Sequence, residues 1–205
     1  TSLTEQQVAQ LHLAGHPPVV ATDADLAGRV AAERDYWLLA MYNLHPTYAE
    51  LPEGADPADM VATGHAELLN QAIANARPLG ESLIDERLTN LEGAESALDA
   101  IRVLAAQPPS QWNAGAAHIA ERTGLPPSLI RSSLASMVRA WNADPRRAAE
   151  QGAYQASQVK DRLSAAATAQ DARRKPEAAT PPRPAQPRIE PAHTPTQQHT
   201  PGVER

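Results

Sequence analysis

The chain has 205 residues, no cysteine and a formal net charge of −6. Without cysteine it can form neither a disulfide framework nor a cysteine-ligated zinc site, and it has no apolar run long enough to cross a membrane. Its charge is uneven, since residues 1–142 sum to −9 and residues 143–205 to +3. The acidic larger part argues against non-specific nucleic-acid binding through net charge. Because the sequence starts at Thr1 rather than at a methionine, we expect a C-terminal piece of a longer cytoplasmic protein.

The first fifty residues predict a helix followed by a strand–helix–strand unit. Thr4 and Gln7 have the spacing of a capping box, which places the start of the first helix. Apolar periodicity then separates short buried strands from a long amphipathic helix. In chain order, the predicted elements are helix 3–13, strand 19–22, helix 26–43 and strand 48–51. Because two strands joined through one helix run parallel, we expect a parallel sheet.

Beyond residue 52 the pattern is helical, and no further strand is predicted. Asp56 suits an N-cap and Pro57 the first position of a short helix. The predicted helices cover residues 57–63, 66–76, 81–91 and 95–106, followed by a helical hairpin at 112–141. The fold class is therefore α/β followed by all-α. Residues 143–172 form an alanine-rich, helix-prone linker, and residues 173–205 are proline-rich and expected to be disordered, because their composition cannot offset the entropy of ordering.

Two carboxylates directly follow the first predicted strand. Asp23 and Asp25 stand at its carboxyl end, where open α/β sheets bind their ligands. Carboxylates at this spacing can hold a hard cation such as Mg²⁺. The same residue types also suit a turn and an N-cap. Asp56 is likewise typical of a cap, at a helix N-terminus that can face phosphate. Residue types and spacing leave both interpretations open.

The helical hairpin offers an alternative function. Ala120–Leu134 has the glycine-centred spacing of a helix-turn-helix, and its second helix carries Arg131 and Arg139. A non-enzymatic DNA-binding module is therefore an alternative, although two arginines make a small electrostatic footprint. The large apolar residues here are instead predicted to pack against neighbouring helices: Trp112, Leu129, Ile130, Leu134, Met137 and Trp141. No serine lies in a nucleophile-elbow motif, so nothing indicates a Ser–His hydrolase.

Three stretches carry a family resemblance through their order and spacing. They are Thr1–Thr4, Ala21–Ala32 with its Asp-x-Asp-x-Ala-Gly turn, and Leu51–Met60 with its Leu-Pro-x-Gly-x-Asp-Pro segment, followed by Gly64 and Ala76–Leu79. Together they resemble the TOPRIM domain (a Rossmann-like fold) and the following helices of bacterial DnaG-type DNA primases. The resemblance covers about residues 1–142 and divides them into the C-terminal part of a TOPRIM domain, 1–78, and a helical subdomain, 79–142. The remainder of the chain has no counterpart in that family.

The resemblance implies an Mg²⁺-dependent nucleotidyltransferase that makes RNA primers on single-stranded DNA from nucleoside triphosphates. Asp23 and Asp25 match the family's catalytic metal-binding pair, and Asp56 matches an acidic position near the same site. The implied cofactor is Mg²⁺, with Mn²⁺ as a substitute, and a replicative helicase is a candidate partner in addition to the template; no membrane is implied.

The family's zinc-binding domain, basic N-terminal subdomain and first-strand glutamate would all precede Thr1. The chain by itself is therefore expected to be inactive. A second alternative places the same TOPRIM domain in a multidomain plasmid or phage protein, fused to a helicase or a relaxase. The proline-rich tail is the only sequence feature that favours this arrangement.

Overall fold

The computed structural model describes residues 3–90, 93–155 and 157–158. The elements are α1 (Glu5–Ala14), β1 (Val19–Val20), α2 (Leu26–Met41), β2 (Thr47–Tyr48), α3 (Pro57–Ala62), α4 (Ala66–Ala74), β3 (Arg77–Pro78), α5 (Leu79–Asn90), α6 (Gly93–Ala105), α7 (Pro109–Thr123) and α8 (Pro127–Ala143). Residues 145–155 are also helical and are called the closing helix here. None of the helices in the described ranges is both long and apolar enough to span a membrane.

The first helix begins at the capping box that the sequence predicts. The Thr4 side chain accepts a hydrogen bond from the Gln7 N–H, and the Gln7 side chain accepts one from the Thr4 N–H at 2.9 Å. Two N–H groups that the helix leaves without partners are thereby satisfied. Gly15, at φ 73°, ends the helix in the left-handed region, where glycine carries no steric penalty.

The sheet is small and mixed. β1 and β2 are parallel, with Val19 beside Thr47, as the strand–helix–strand unit predicts, although each strand is only two residues long. β3 pairs antiparallel with β2 and gives the order β1-β2-β3, so the expectation that no strand follows residue 52 is wrong. The sequence does not indicate this strand because Pro78 has no backbone N–H to donate to a neighbouring strand. The structure tolerates the proline because β3 lies at the edge of the sheet.

The hydrophobic core lies among α2, α5, α6, α7 and α8. α6 contributes several almost fully buried side chains, including Ile101 and Leu104 at 1 % exposure each. The hydroxyl of Tyr36 on α2 donates to the carbonyl oxygen of Val103 at 3.0 Å, which satisfies a buried polar group. Burial raises the pKa of this phenol. The long helix of the α/β part is thereby anchored directly to the helical part.

A buried ion pair also joins α2 to α5. The Arg87 guanidinium contacts a carboxylate oxygen of Glu33, and the indole N–H of Trp37 donates to the same oxygen at 3.1 Å. The two charged side chains are 3 % and 6 % exposed, and burial raises the pKa of Glu33. Because an unpaired buried charge costs several kcal/mol, the pair restricts α2 and α5 to one relative position.

The helical hairpin predicted at residues 112–141 is present as α7 and α8, with Gly124 at φ 68° between them. Ile130 and Leu134 are buried as predicted, but Leu129 is 49 % exposed, so its predicted packing is wrong. Ile130 and Leu134 are four residues apart and therefore lie on the same, inward face of α8. Leu129 does not share this spacing and lies outside that face. Trp112 packs at the edge of the core and donates to the Gln107 carbonyl at 3.0 Å.

The closing helix returns the chain to its first helices. Asp144 caps it by accepting from the Arg147 N–H at 3.0 Å. Gly152 lies so close to Trp37 that a Cβ on this glycine would be 2.4 Å from the indole. Arg146 makes two hydrogen bonds to the carboxylate of Glu5 on α1, at 2.7 and 3.2 Å. The stretch expected to be disordered, residues 173–205, lies outside the described residues.

Candidate metal centre

The turn between β1 and α2 is built around one glycine. Asp25 is the N-cap of α2, and its Oδ1 accepts from the Gly28 N–H at 2.7 Å. A Cβ on Gly28 would lie 2.0 Å from the carbonyl oxygen of Asp23. Only glycine therefore allows this close approach of helix and turn, which places Asp23 and Asp25 at the end of the strand. The predicted N-cap role of Asp25 is confirmed.

A second acidic cap follows β2. Asp56 precedes α3, and its Oδ1 accepts from the N–H groups of Ala58 and Asp59 at 2.7 and 2.9 Å. Pro57 occupies the first helical position, where its missing N–H costs nothing. The N-cap prediction for Asp56 is confirmed as well.

Backbone hydrogen bonds tie these two acidic segments together. The Ala24 N–H donates to the Ala55 carbonyl at 2.9 Å, and the Gly54 N–H donates to the Ala24 carbonyl at 3.2 Å. Ala24 separates Asp23 from Asp25, and Ala55 directly precedes Asp56. The structure thus brings all three sequence-predicted residues to the carboxyl end of the parallel strands β1 and β2.

The available donor atoms have the chemistry of a partial site for a hard divalent cation. Asp23 and Asp25 are exposed, and one oxygen each of Asp25 and Asp56 remains without a hydrogen-bond partner in the described part of the chain. The hydroxyl of Thr22, next to Asp23, is buried and likewise unpartnered there. Mg²⁺ commonly binds through one or two carboxylates together with water and substrate phosphates.

The described residues do not bring three acidic or histidine side chains close enough together to hold a metal ion by themselves. The carboxylates therefore fit such a cation as part of a site rather than as a complete set of ligands. The missing donors would have to come from water, from substrate or from other parts of the protein.

A cleft of about 670 Å³ lies next to this end of the strands, and no feature of the sequence indicated it. It lies between the first two turns of α2 and the length of α5, with residues of β2 and β3 between them. The cleft is lined by polar and charged side chains that could contact a ligand, among them Arg29, Tyr48, Glu50, Arg77, Ser82 and Asp85. Because these residues come from three separate parts of the chain, at positions 29, 48–50 and 77–85, no local motif could have predicted the cleft.

Asp85 links three elements beside the cleft. Its Oδ1 lies 2.8 Å from Nε2 of His118 on α7, and its Oδ2 accepts from the Arg77 guanidinium on β3 at 3.2 Å. Partial burial acts to raise the pKa of Asp85, but the hydrogen bonds from His118 and Arg77 outweigh it and hold the pKa below its usual value. The carboxylate on this wall of the cleft therefore already has two internal partners, the Arg77 guanidinium and the His118 imidazole.

Comparison with known proteins gives a likeness in fold. No family model matches the sequence, and no curated protein matches it. The structure is similar to a DNA primase domain from Pseudomonas aeruginosa, with a TM-score of 0.52 and 22 % identity over 68 % of this chain and 46 % of that one. This chain thus spans less than half the length of that domain, and the two share a fold.

Two further structures are similar at a lower level. They are the zinc-binding and RNA polymerase domains of the Aquifex aeolicus primase (TM-score 0.48, 26 % identity, 63 % of this chain and 32 % of that one) and a DnaG catalytic core (TM-score 0.49, 20 % identity, 63 % and 45 %).

Proposed function

We propose that this chain is the C-terminal portion of the catalytic region of a DnaG-like DNA primase and that Asp23 and Asp25 belong to its Mg²⁺ site. The observation that carries the proposal is the group of acidic residues at the carboxyl end of β1 and β2. There the Gly28 turn positions both carboxylates, and backbone hydrogen bonds hold the Asp56 segment beside them. The fold shared with a primase domain supports the proposal. So does the resemblance of the turn itself to the metal-binding turn of that family.

In this function, Asp23 and Asp25 would hold Mg²⁺, which would supply charge neutralisation of the triphosphate and of the transferring oxygens in nucleotidyl transfer. The role of this chain's residues is to position the ligand oxygens, and none of them serves as a nucleophile. The Oδ1 atoms of Asp25 and Asp56 fix the starts of α2 and α3, while their second oxygens remain available for a cation. Asp25 would thus act both as a helix cap and as a metal ligand, so the rigid helix start would determine where the ligand oxygen lies, and Asp56 would lie near the same site as a cap.

The proposed site is incomplete within the described residues. The family that the turn resembles adds a glutamate from an earlier strand, and the described residues offer no third carboxylate at the required distance. We therefore expect metal binding in the millimolar range and no primer synthesis by the chain alone. In the whole protein, single-stranded DNA and nucleoside triphosphates are the proposed substrates.

The proposal is tested by titrating the chain with Mg²⁺ and Mn²⁺ while recording amide NMR spectra. Mg²⁺ should shift, and Mn²⁺ should broaden, the amide signals of residues 22–29 and 54–58, because these segments carry the carboxylates. The combined variant Asp23→Asn and Asp25→Asn should lose both effects.

The control is Glu53→Gln, which removes an exposed negative charge from the same region without touching the proposed pair. Its titration should match that of the wild type. If the double asparagine variant responds to metal as the wild type does, Asp23 and Asp25 are not the ligands.

A further inference from the structure

The cleft between α2 and α5 is lined by an arginine, Arg29, that has no partner among the described residues. The Arg29 side chain is exposed, lines the cleft, and makes no ion pair or side-chain hydrogen bond in the described part of the chain. The other cation at the cleft, Arg77, is bound to Asp85 at 3.2 Å. Arg29 is therefore the positive charge of this cleft that remains available to a ligand.

The position of Arg29 on its helix is one that the helix dipole does not favour. Its backbone N–H donates to the Asp25 carbonyl at 3.1 Å, so the residue lies one turn from the start of α2. The N-terminal end of a helix carries partial positive charge and favours acidic side chains, yet the first turn of α2 contains none. The helix dipole does not account for an arginine at this position, and binding of an anion would explain it.

Residues four apart lie on the same face of a helix, so Arg29 and Asp25 face the same direction. An arginine guanidinium suits phosphate because its planar fork can donate two hydrogen bonds at once. A phosphate next to Arg29 would therefore also lie near the proposed metal ligand. Tyr48 and Ser82 place hydroxyl groups around the same cleft, and each can donate a further hydrogen bond to phosphate oxygen.

Three carboxylates also line the cleft, and two of them have cationic partners. Asp85 is bound by His118 and Arg77, and Glu86 lies 3.9 Å from the Arg87 guanidinium. The third, Glu50, follows β2 and hence lies toward the carboxyl end of the strands, where Asp23 and Asp25 are found. Glu50 and Arg29 thus line the part of the cleft toward the proposed metal site, although Asp23, Asp25 and Asp56 do not line the cleft themselves.

We infer that this cleft binds a phosphate group, carried by a nucleoside triphosphate or by a single nucleic-acid strand, and that Arg29 contacts that phosphate. The inference deepens the proposed function and rests on it for the class of ligand. The contact itself is a guanidinium–phosphate interaction and does not require the metal.

The test measures binding of two probes to the 205-residue chain by fluorescence anisotropy: a fluorescein-labelled oligothymidylate and a fluorescent ATP analogue. Each titration is run in EDTA and again in Mg²⁺. Arg29→Ala should raise the Kd about tenfold, since a charge-assisted hydrogen bond is lost. Arg29→Lys should fall between Arg29→Ala and the wild type, because lysine keeps the charge but loses the planar fork.

The matched control is Arg34→Ala, which removes an exposed arginine from the same helix outside the cleft. It should bind both probes as the wild type does. All three variants should keep the wild-type Tm, because neither arginine is buried. A Kd raised for the ATP analogue alone identifies the nucleotide as the source of the phosphate, and a Kd raised for the oligonucleotide alone identifies the strand.

The inference is overturned if the wild type binds neither probe, if Arg29→Ala binds both as the wild type does, or if Arg34→Ala weakens binding equally. Comparison with Asp23→Asn plus Asp25→Asn separates this inference from the proposed function. If that double variant keeps the wild-type response to Mg²⁺ while Arg29→Ala weakens binding in EDTA, the metal assignment fails and the phosphate contact stands.

Discussion

At the scale of single residues, the helix caps were predictable and the long-range polar contacts were not. Thr4, Asp25 and Asp56 act on N–H groups within three residues of themselves, so the residue type and its neighbours suffice to predict the cap. The Glu33–Arg87 pair joins residues 54 positions apart. Nothing near either residue indicates its partner, because the fold alone brings α2 and α5 together.

The contacts of Asp85 predict a specific dependence of stability on pH. Because its pKa is lower in the folded protein than its ordinary value of 3.8, the unfolded chain takes up the proton first. The stabilisation that ionised Asp85 gives to the folded protein is therefore complete above the ordinary pKa of 3.8. It is lost as the pH falls through the lower pKa of the folded state. Since the side chain is 40 % exposed, solvent screening limits the contribution to about 0.5–1 kcal/mol.

Urea unfolding at a series of acidic pH values measures this effect. Asp85→Asn should lose less free energy of unfolding than the wild type on acidification below about pH 4. Glu121→Gln, which neutralises an exposed carboxylate on α7, should follow the wild-type curve. Identical pH dependence of Asp85→Asn and wild type would show that the two hydrogen bonds contribute no net stability.

At the scale of elements, apolar periodicity predicted the helices because most of them bury one face against the core. The strands were less predictable. β1 and β2 were predicted, but at two residues each they are shorter than the predicted strands, and the composition of β3 argues against a strand. The cleft could not be predicted from any single element, since it exists only where α2, α5 and the sheet meet.

The closing helix shows how small residues can dock an element that has little apolar surface. Ala149 is 4 % exposed, and Gly152 lies directly against the Trp37 indole. Gly152→Val should push the helix away from Trp37, because the added side chain occupies the position of the ring. We expect a loss of about 1–3 kcal/mol in the free energy of unfolding, as in other overpacked sites.

Urea unfolding and tryptophan fluorescence together check this prediction. The emission of Gly152→Val should move to longer wavelength as Trp37 becomes hydrated. The control Gln151→Val changes the adjacent exposed position and should have a small effect on both readouts. Wild-type fluorescence and stability in Gly152→Val would mean that the closing helix does not pack on Trp37 in solution.

At the scale of the whole molecule, the most unusual surface belongs to α3 and α4. α4 has no buried residue although its sequence is amphipathic, and Val61, Leu68 and Ile73 are 57 %, 48 % and 40 % exposed. Exposed apolar patches favour association or aggregation. Leu68→Glu should therefore reduce binding of a hydrophobic dye while leaving the free energy of unfolding within about 0.5 kcal/mol of the wild type.

Dye fluorescence and urea unfolding, measured on the same samples, test this prediction. Leu83→Glu is the contrasting variant, because Leu83 on α5 is 3 % exposed and a charge there should strongly destabilise the protein. A large loss of stability in Leu68→Glu would show that α4 packs more closely in solution than its exposure indicates.

The hydrogen bonds between Arg146 and Glu5 also have a consequence for how the protein is made. They connect residues 141 positions apart, and Gly152 covers Trp37 across a similar span of sequence. During synthesis on a ribosome, the amino-terminal helices emerge long before the segment that completes their surroundings. Contacts of such large sequence separation form slowly, so a nascent chain would expose this tryptophan until its last core segment has left the exit tunnel.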